Sequence, residues 1–367
     1  MQIKEITSWL ETVAPLRYQE SYDNAGLIVG NPTTEVTGVL LCLDSIEAVI
    51  DEAIEKGCNL VIAHHPIVFG GLKRFNGRNY VERVVMKAIK QDVAIYAAHT
   101  NLDNVLKNGV NTKIAEKLGL VNTRILAPKG GTLRKLVVFC PQHAAENVRQ
   151  ALFGAGAGAV GDYDQCSFNL DGSGTFRALE GANPHVGAVG ARHTEPERRI
   201  EVIYDRAREG GILRAMLAAH PYEEVAHDIY DLANTNQEIG SGMIGELPEA
   251  MEEGAFLRFL KDTMQTACVR HTNLLGKPVK RVAVCGGAGS FLLQSAVGQQ
   301  ADIFVTGDYK YHQFFDADGQ IVIADIGHYE SEQYTIPLFA EILTEKFPNF
   351  AVHLTEINTN PINYLYG

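Results

Sequence analysis

Asn59-Leu-Val-Ile-Ala-His-His-Pro66 is the stretch that decides the fold. Leu60 to Ala63 is a short continuous apolar run, the pattern of a strand buried on both faces of a helix-covered sheet. The run stops at two histidines and a proline. On a regular strand His64 and His65 would point to opposite faces. Pro66 lacks an amide donor and forces a turn, so both imidazoles can reach the mouth of the sheet. Working outward, Gly38-Val-Leu-Leu-Cys-Leu-Asp44 and Val93-Ala-Ile-Tyr-Ala-Ala98 read as two more strands of this kind. Between them lie helical spacings. Residues 46–56 carry Ile46, Val49, Ile50, Ala53 and Ile54 on one face, with Ser45 expected as N-cap and Gly57 as the stop. Further helices are expected at 3–13, 80–91 and 110–118. This β-α-β-α-β order predicts a largely parallel or mixed α/β sheet.

The pattern changes after Pro128-Lys-Gly-Gly131. Residues 133–140 read as a strand and 144–153 as a helix. Residues 166–170 and 174–177 read as paired short strands. Residues 199–204 read as an alternating strand, 212–220 as a helix and 225–232 as a last strand. This β-α-β…β-α-β order resembles a ferredoxin-like unit. After Asn234 the α/β pattern returns, with strands at 281–285, 302–306 and 321–325 and a helix at 256–264.

The chain has 367 residues, more than one core normally serves, so two or three domains are expected. Apolar residues make up 46%, which excludes a disordered chain. The net charge of −12 and the absence of a dense Lys/Arg run exclude nucleic acid as a primary partner. No apolar run approaches membrane-spanning length. The N-terminus shows no basic segment leading into an apolar one. Six scattered cysteines, none in C-x-x-C, read as buried free thiols. A cytoplasmic protein is the expectation.

Chemistry gathers at strand ends. Ala63-His-His-Pro66 and His99-Thr-Asn-Leu-Asp103 both follow apolar strands, and Asp103 is a carboxylate able to bridge two cations. Gly327-His-Tyr-Glu-Ser-Glu332 follows a third strand, and its His328 and Glu332 share a face if a helix starts there. Thr306-Gly-Asp308 ends a fourth, with Lys310 and His312 close behind. Taken singly, each has a plain structural reading: a hydrogen-bonded core histidine or a solvated helix face. Together they lie where open α/β sheets gather ligands, beyond the carboxyl ends of strands. Nitrogen and oxygen donors without thiolates suit Zn²⁺, Mn²⁺ or Fe²⁺. The Gly286-Gly-Ala-Gly-Ser290 loop lacks a P-loop lysine and reads as a tight turn.

Asp23-Asn-Ala-Gly-Leu27, Ala63-His-His-Pro66, His99-Thr-Asn-Leu-Asp103, Thr306-Gly-Asp308 and Gly327-His-Tyr-Glu-Ser-Glu332 together resemble the NIF-three-like family, type-2 homologues of GTP cyclohydrolase I. The resemblance implies a dinuclear site of two divalent metal ions per chain, Zn, Mn or Fe, with His64, His65, Asp103, His328 and Glu332 as ligands. Asn24 and His312 match positions near the cleft, implying a substrate-contact role for Asn24 and a proton-moving, catalytic role for His312. Gly172-Ser-Gly-Thr-Phe176, Glu180-Gly-Ala-Asn-Pro184 and Ala219-His-Pro-Tyr-Glu-Glu224 mark the insertion of longer members, similar to the PII-like and CutA-like ferredoxin-type fold. His220, Glu223 and Glu224 read as a structural or interface motif within it. The expected fold class is therefore a discontinuous two-lobed α/β metal-binding domain, residues 1–127 with 236–367, interrupted by a ferredoxin-like (PII/CutA-like) α+β domain at 128–235. The implied function is a metal-dependent hydrolase acting on a nucleotide-like substrate, cyclohydrolase-like or phosphoesterase-like. The alternative is a non-enzymatic metal-binding regulatory or interaction scaffold. A ring-like homohexamer is implied by the resemblance.

Overall fold

The computed structural model describes residues 1–365. They form a mixed α/β protein with three sheets. Two compact units divide the chain: Met1–Pro128 with Glu238–Gly367, and Lys129–Gln237.

In the discontinuous unit, the first sheet runs Gly26–Val29, Ala94–Ala97, Leu60–Ala63, Val39–Cys42, Val352–Leu354 across its width. Its inner pairings are parallel, and only Gly26–Val29 runs antiparallel to its neighbour. The three central strands are wholly buried, as expected for β-α-β strands covered on both faces. Helices Glu47–Glu55 and Tyr80–Lys90 bury Val49, Ile50, Ala53, Val84 and Ala88 against Leu40, Val61 and Ile95. The Ile3–Val13 helix buries Ile3, Ile6 and Leu10.

The second sheet runs Arg270–His271, Val322–Asp325, Ile303–Gly307, Val279–Ala288, Asn236–Met251, Val121–Lys129. Val279–Ala288, Ile303–Gly307 and Val322–Asp325 are parallel neighbours. Phe304, Ile323, Ala283 and Leu293 form its core. The inserted unit is a four-stranded antiparallel sheet in the order Phe168–Arg177, Arg192–Asp205, Leu133–Pro141, His227–Asp231. Helices Ala145–Gly154 and Glu209–Ala219 pack on one face through Val148, Leu152, Ile212 and Met216. This β-α-β-β-α-β order is ferredoxin-like.

Three local expectations are corrected. Ser45 does not cap the helix at Glu47; Ile46 holds that position, without a side-chain cap. The short strands expected at 166–170 and 174–177 are one strand, Phe168–Arg177, running through Gly172-Ser-Gly174. Its partner Arg192–Asp205 pairs it in register throughout, so the glycines extend the ladder rather than turn it. The cysteines are free, but Cys166 and Cys268 are only half-buried. Among the described residues, no helix is long and apolar enough to cross a membrane.

Candidate metal centre

Both sheets of the discontinuous unit send residues from their strand ends to one point. His64 and His65 follow the Leu60–Ala63 strand and His99 follows Ala94–Ala97. Asp103 ends the short Thr100–Asp103 helix. From the second sheet, Asp308 follows Ile303–Gly307, and His328 and Glu332 lie on the His328–Glu332 helix beyond Val322–Asp325. The chain turns into that helix at Gly327, whose φ of 95° favours glycine.

The imidazoles are held from outside. His64, fully buried, donates from Nδ1 to the carbonyl of Ala98 at 2.8 Å. His65 donates from Nδ1 to Asp44 at 2.8 Å, His99 to Asp23 at 2.8 Å and His328 to Asp308 at 2.7 Å. Such outer acceptors fix the tautomer and leave Nε2 as the donor available for a metal. Inside, Glu332 Oε2 lies 2.9 Å from His65 Nε2 and 3.2 Å from His328 Nε2. The Nε2 atoms of His65 and His328 are 3.3 Å apart. His64 Nε2 stands 3.6 Å from both Asp103 Oδ1 and Glu332 Oε1, beyond hydrogen-bonding reach.

The electrostatics follow from this packing. Burial opposes charge on His65, but its bonds to Asp44 and Glu332 push it up to about 10. Burial likewise opposes charge on His328, and Asp308 and Glu332 push it up to about 11. Burial holds His64 below the ordinary histidine value. Asp23 is drawn down to about 2: burial opposes this, and the bonds from His99 and Thr100 outweigh it. Asp103 is raised well above the carboxylate range by burial and by the charge of Glu332.

The residues fit a metal ion. Two buried polar atoms, His64 Nε2 and Asp103 Oδ1, have no hydrogen-bond partner, an expensive arrangement that a cation between them would relieve. Ligand atoms of His64, His65 and His99 lie within 4.8 Å of one another, as do those of His65, His328 and Glu332. The two groups share His65. The donor set is nitrogen and oxygen, suited to Zn²⁺, Mn²⁺ or Fe²⁺.

Residues 1–361 match the family model described as Duf34/NIF3 (NGG1p interacting factor 3). The chain belongs to this family. Over 368 positions this Duf34/NIF3 chain is 39% identical to a Bacillus subtilis protein named GTP cyclohydrolase 1 type 2 homolog, covering 99% of this chain and 98% of the relative. The structure of a Bacillus cereus protein related to NIF3 superposes with a TM-score of 0.86 at 39% identity, covering 100% of this chain and 99% of that one. A Staphylococcus aureus protein superposes at 0.78 with 30% identity and coverage of 100% and 99%.

Of the site residues expected in this Duf34/NIF3 sequence, His64, His65, Asp103, His328 and Glu332 come together. His312 does not: it is exposed on the Tyr311–Ala317 turn, against the ring of Tyr311, and does not line the cavity beside the centre. Asn24 is also outside that lining, and its side chain donates to the carbonyl of Val68 at 2.6 Å. One metal-competent residue was absent from the expected set. His99 stands with its ring 5.3 Å from that of His64 and 5.5 Å from that of His65. Its signal was available, since like His64 it closes a buried apolar strand. In the inserted unit, both ring nitrogens of His220 are taken by backbone, at Phe139 and Tyr222. Glu223 accepts from the amide of Asn183. Among the described residues neither joins a metal-competent group.

Proposed function

We propose that this chain is a metal-dependent hydrolase whose centre holds two divalent ions. The ligands would be His64, His65, His99, Asp103, His328 and Glu332. The observation that carries this reading is the shared geometry of four imidazoles, each fixed at Nδ1 from outside, around the buried carboxylate of Glu332 and the buried Oδ1 of Asp103. Ions held there supply Lewis acidity and make water nucleophilic near neutral pH. Asp44, Asp23 and Asp308 keep their imidazoles in one tautomer and one orientation. Glu332, only 3% exposed, keeps its carboxylate away from bulk water and in contact with three of the rings. The name carried by the Bacillus subtilis relative supports a hydrolytic reaction and a nucleotide-like substrate.

The test is to purify the protein with its native metal, count metals per chain and screen nucleotide-like compounds for turnover. His65→Ala and Glu332→Ala should each abolish hydrolysis. Activity surviving both substitutions would refute the reading.

One observation favours an interaction role beside it. Phe168, Leu170 and Tyr230 of the inserted sheet are exposed, and the strand register puts them on one face. A scaffold that self-associates into a homohexamer accounts for such a face. Elution as a monomer in gel filtration counts against it.

A further inference from the structure

Resting on the metal centre proposed above, we infer that Thr359 is a positioning residue of that centre, and that with Asn360 it makes the C-terminal segment a clip on both halves of the ligand set. Thr359 is buried, and its hydroxyl donates to Asp44 Oδ2 at 2.7 Å. The two residues are 315 positions apart in the chain. The other oxygen of that carboxylate, Oδ1, accepts from His65 Nδ1 at 2.8 Å. The same construction occurs a second time. Behind His99, Asp23 accepts from Nδ1 on Oδ1 and from the hydroxyl and amide of Thr100 on Oδ2. There the threonine is the histidine's own neighbour, and the side chain of Asp23 has no exposed surface. The side chain of Asp44 is 34% exposed. A carboxylate turns easily about its last torsion, so an imidazole that donates to one is oriented only as well as the carboxylate is held. For His65, Thr359 does the holding.

Asn360 reaches the other half. Its Nδ2 donates to Glu330 Oε1 at 3.1 Å. Glu330 is buried and lies between His328 and Glu332 on their helix. Its second oxygen rests against Gly327, where an added Cβ would run into it, and Gly327 is the turn that launches His328. Asn360 is itself fixed: its amide donates to Asn358 Oδ1 at 2.9 Å, and its own Oδ1 accepts from the amide of Ile362 at 3.0 Å. Upstream, the amide of Thr355 donates to the carbonyl of Leu41 at 2.9 Å, and Ile357 packs on the core of the first sheet. The segment is thus anchored on the first sheet before it touches the centre. Two adjacent residues then fasten a ligand from each sheet.

The test uses the full chain loaded with zinc, its zinc content measured first. Thr359→Val keeps the shape of the side chain and removes the hydroxyl. Its zinc affinity in chelator competition should fall about tenfold, the low end of what losing an outer partner costs, and Thr359→Ser should restore it. Asn360→Ala, at a half-buried position, should weaken zinc binding about threefold, the worth of a modest hydrogen bond. In a chain that already carries Asp44→Asn, adding Thr359→Val should cost less than about twofold more, because the threonine acts through that carboxylate. With cobalt in place of zinc, the visible absorption of Thr359→Val should shift and that of Thr359→Ser should match the wild type, which a loss of stability alone would not produce. Unchanged affinity in Thr359→Val or in Asn360→Ala, no restoration by serine, or a full second loss on top of Asp44→Asn would each overturn the inference. Failure of the reading it rests on looks different. A wild-type chain that retains no zinc removes the centre and this inference with it. One that binds zinc in the expected pattern but hydrolyses nothing leaves the positioning role standing and removes only the reaction.

Discussion

Glu332 Oε2 lies 2.9 Å from His65 Nε2, although 267 residues separate the two in the chain. His65 closes a strand of the first sheet and Glu332 rides on the helix that follows a strand of the second. The centre therefore exists only when both sheets have formed and their strand ends meet. Metal affinity should depend on four kinds of residue: the ligands, the acceptors behind them, the backbone that sets their approach, and the clamps that hold the sheets' connections.

Glu332→Gln keeps the size of the side chain and removes its charge. Zinc retained after dialysis, measured by mass spectrometry, should fall to half or less of the wild-type content. The rise in melting temperature on adding zinc should shrink with it, because a ligand bound only by the folded state stabilises by mass action.

The acceptors behind the imidazoles should matter almost as much as the ligands. Asp308→Asn and Asp44→Asn leave every ligand in place but weaken the hold on His328 and His65. Zinc affinity in chelator competition should drop by roughly 10–100-fold in each, with far-ultraviolet circular dichroism unchanged.

Gly307 is where the second sheet touches the turn that launches His328. A Cβ there would sit 2.9 Å from the carbonyl carbon and oxygen of Gly327 and from the amide of His328. Gly307→Ala should destabilise by about 1–3 kcal/mol, as overpacking does, and should lower zinc content without touching a ligand. Gly298→Ala is the control. It lies at the end of the Leu293–Gly298 helix with nothing within 4 Å of an added Cβ, so urea unfolding should show it neutral or slightly stabilised.

Glu52 clamps the C-terminal strand's continuation to the Glu47–Glu55 helix. It accepts from Lys56 at 2.8 Å, from the amide of Glu356 at 2.9 Å and from Thr355. Burial opposes its ionisation, yet these bonds hold it below the ordinary glutamate value. A folded-state value below the unfolded one means stability that is present above the unfolded value and lost as pH falls through the folded one. Glu52→Gln should cost about 1 kcal/mol at pH 7. The gap between urea midpoints at pH 7 and below pH 4 should be smaller in this variant than in the wild type.

The strands and helices that carry the site were legible because their signals are local. Leu60–Ala63 and Ala94–Ala97 are apolar runs bounded by polar residues, and the Ile3–Val13 helix repeats its apolar residues at helical spacing. The long strand Asn236–Met251 was not. Gly240, Gly242 and Gly245 interrupt its alternation, and Gly242 sits at a φ of 65°. Pairing with Val279–Ala288 makes it a strand, and a partner tens of residues away leaves no local mark.

The division within the centre is the same. From the sequence alone came the imidazoles and carboxylates at strand ends, since a buried strand that stops at a histidine delivers that histidine to the sheet's mouth wherever the sheet lies. Only the tertiary structure decided which of them meet. It brought in His99, set Asp23, Asp44 and Asp308 behind their rings, and put His312 on an exposed turn. The reason is physical: side-chain direction along a strand is fixed by neighbours one or two residues away, whereas a 2.9 Å contact between His65 and Glu332 is fixed by how two separately buried sheets pack.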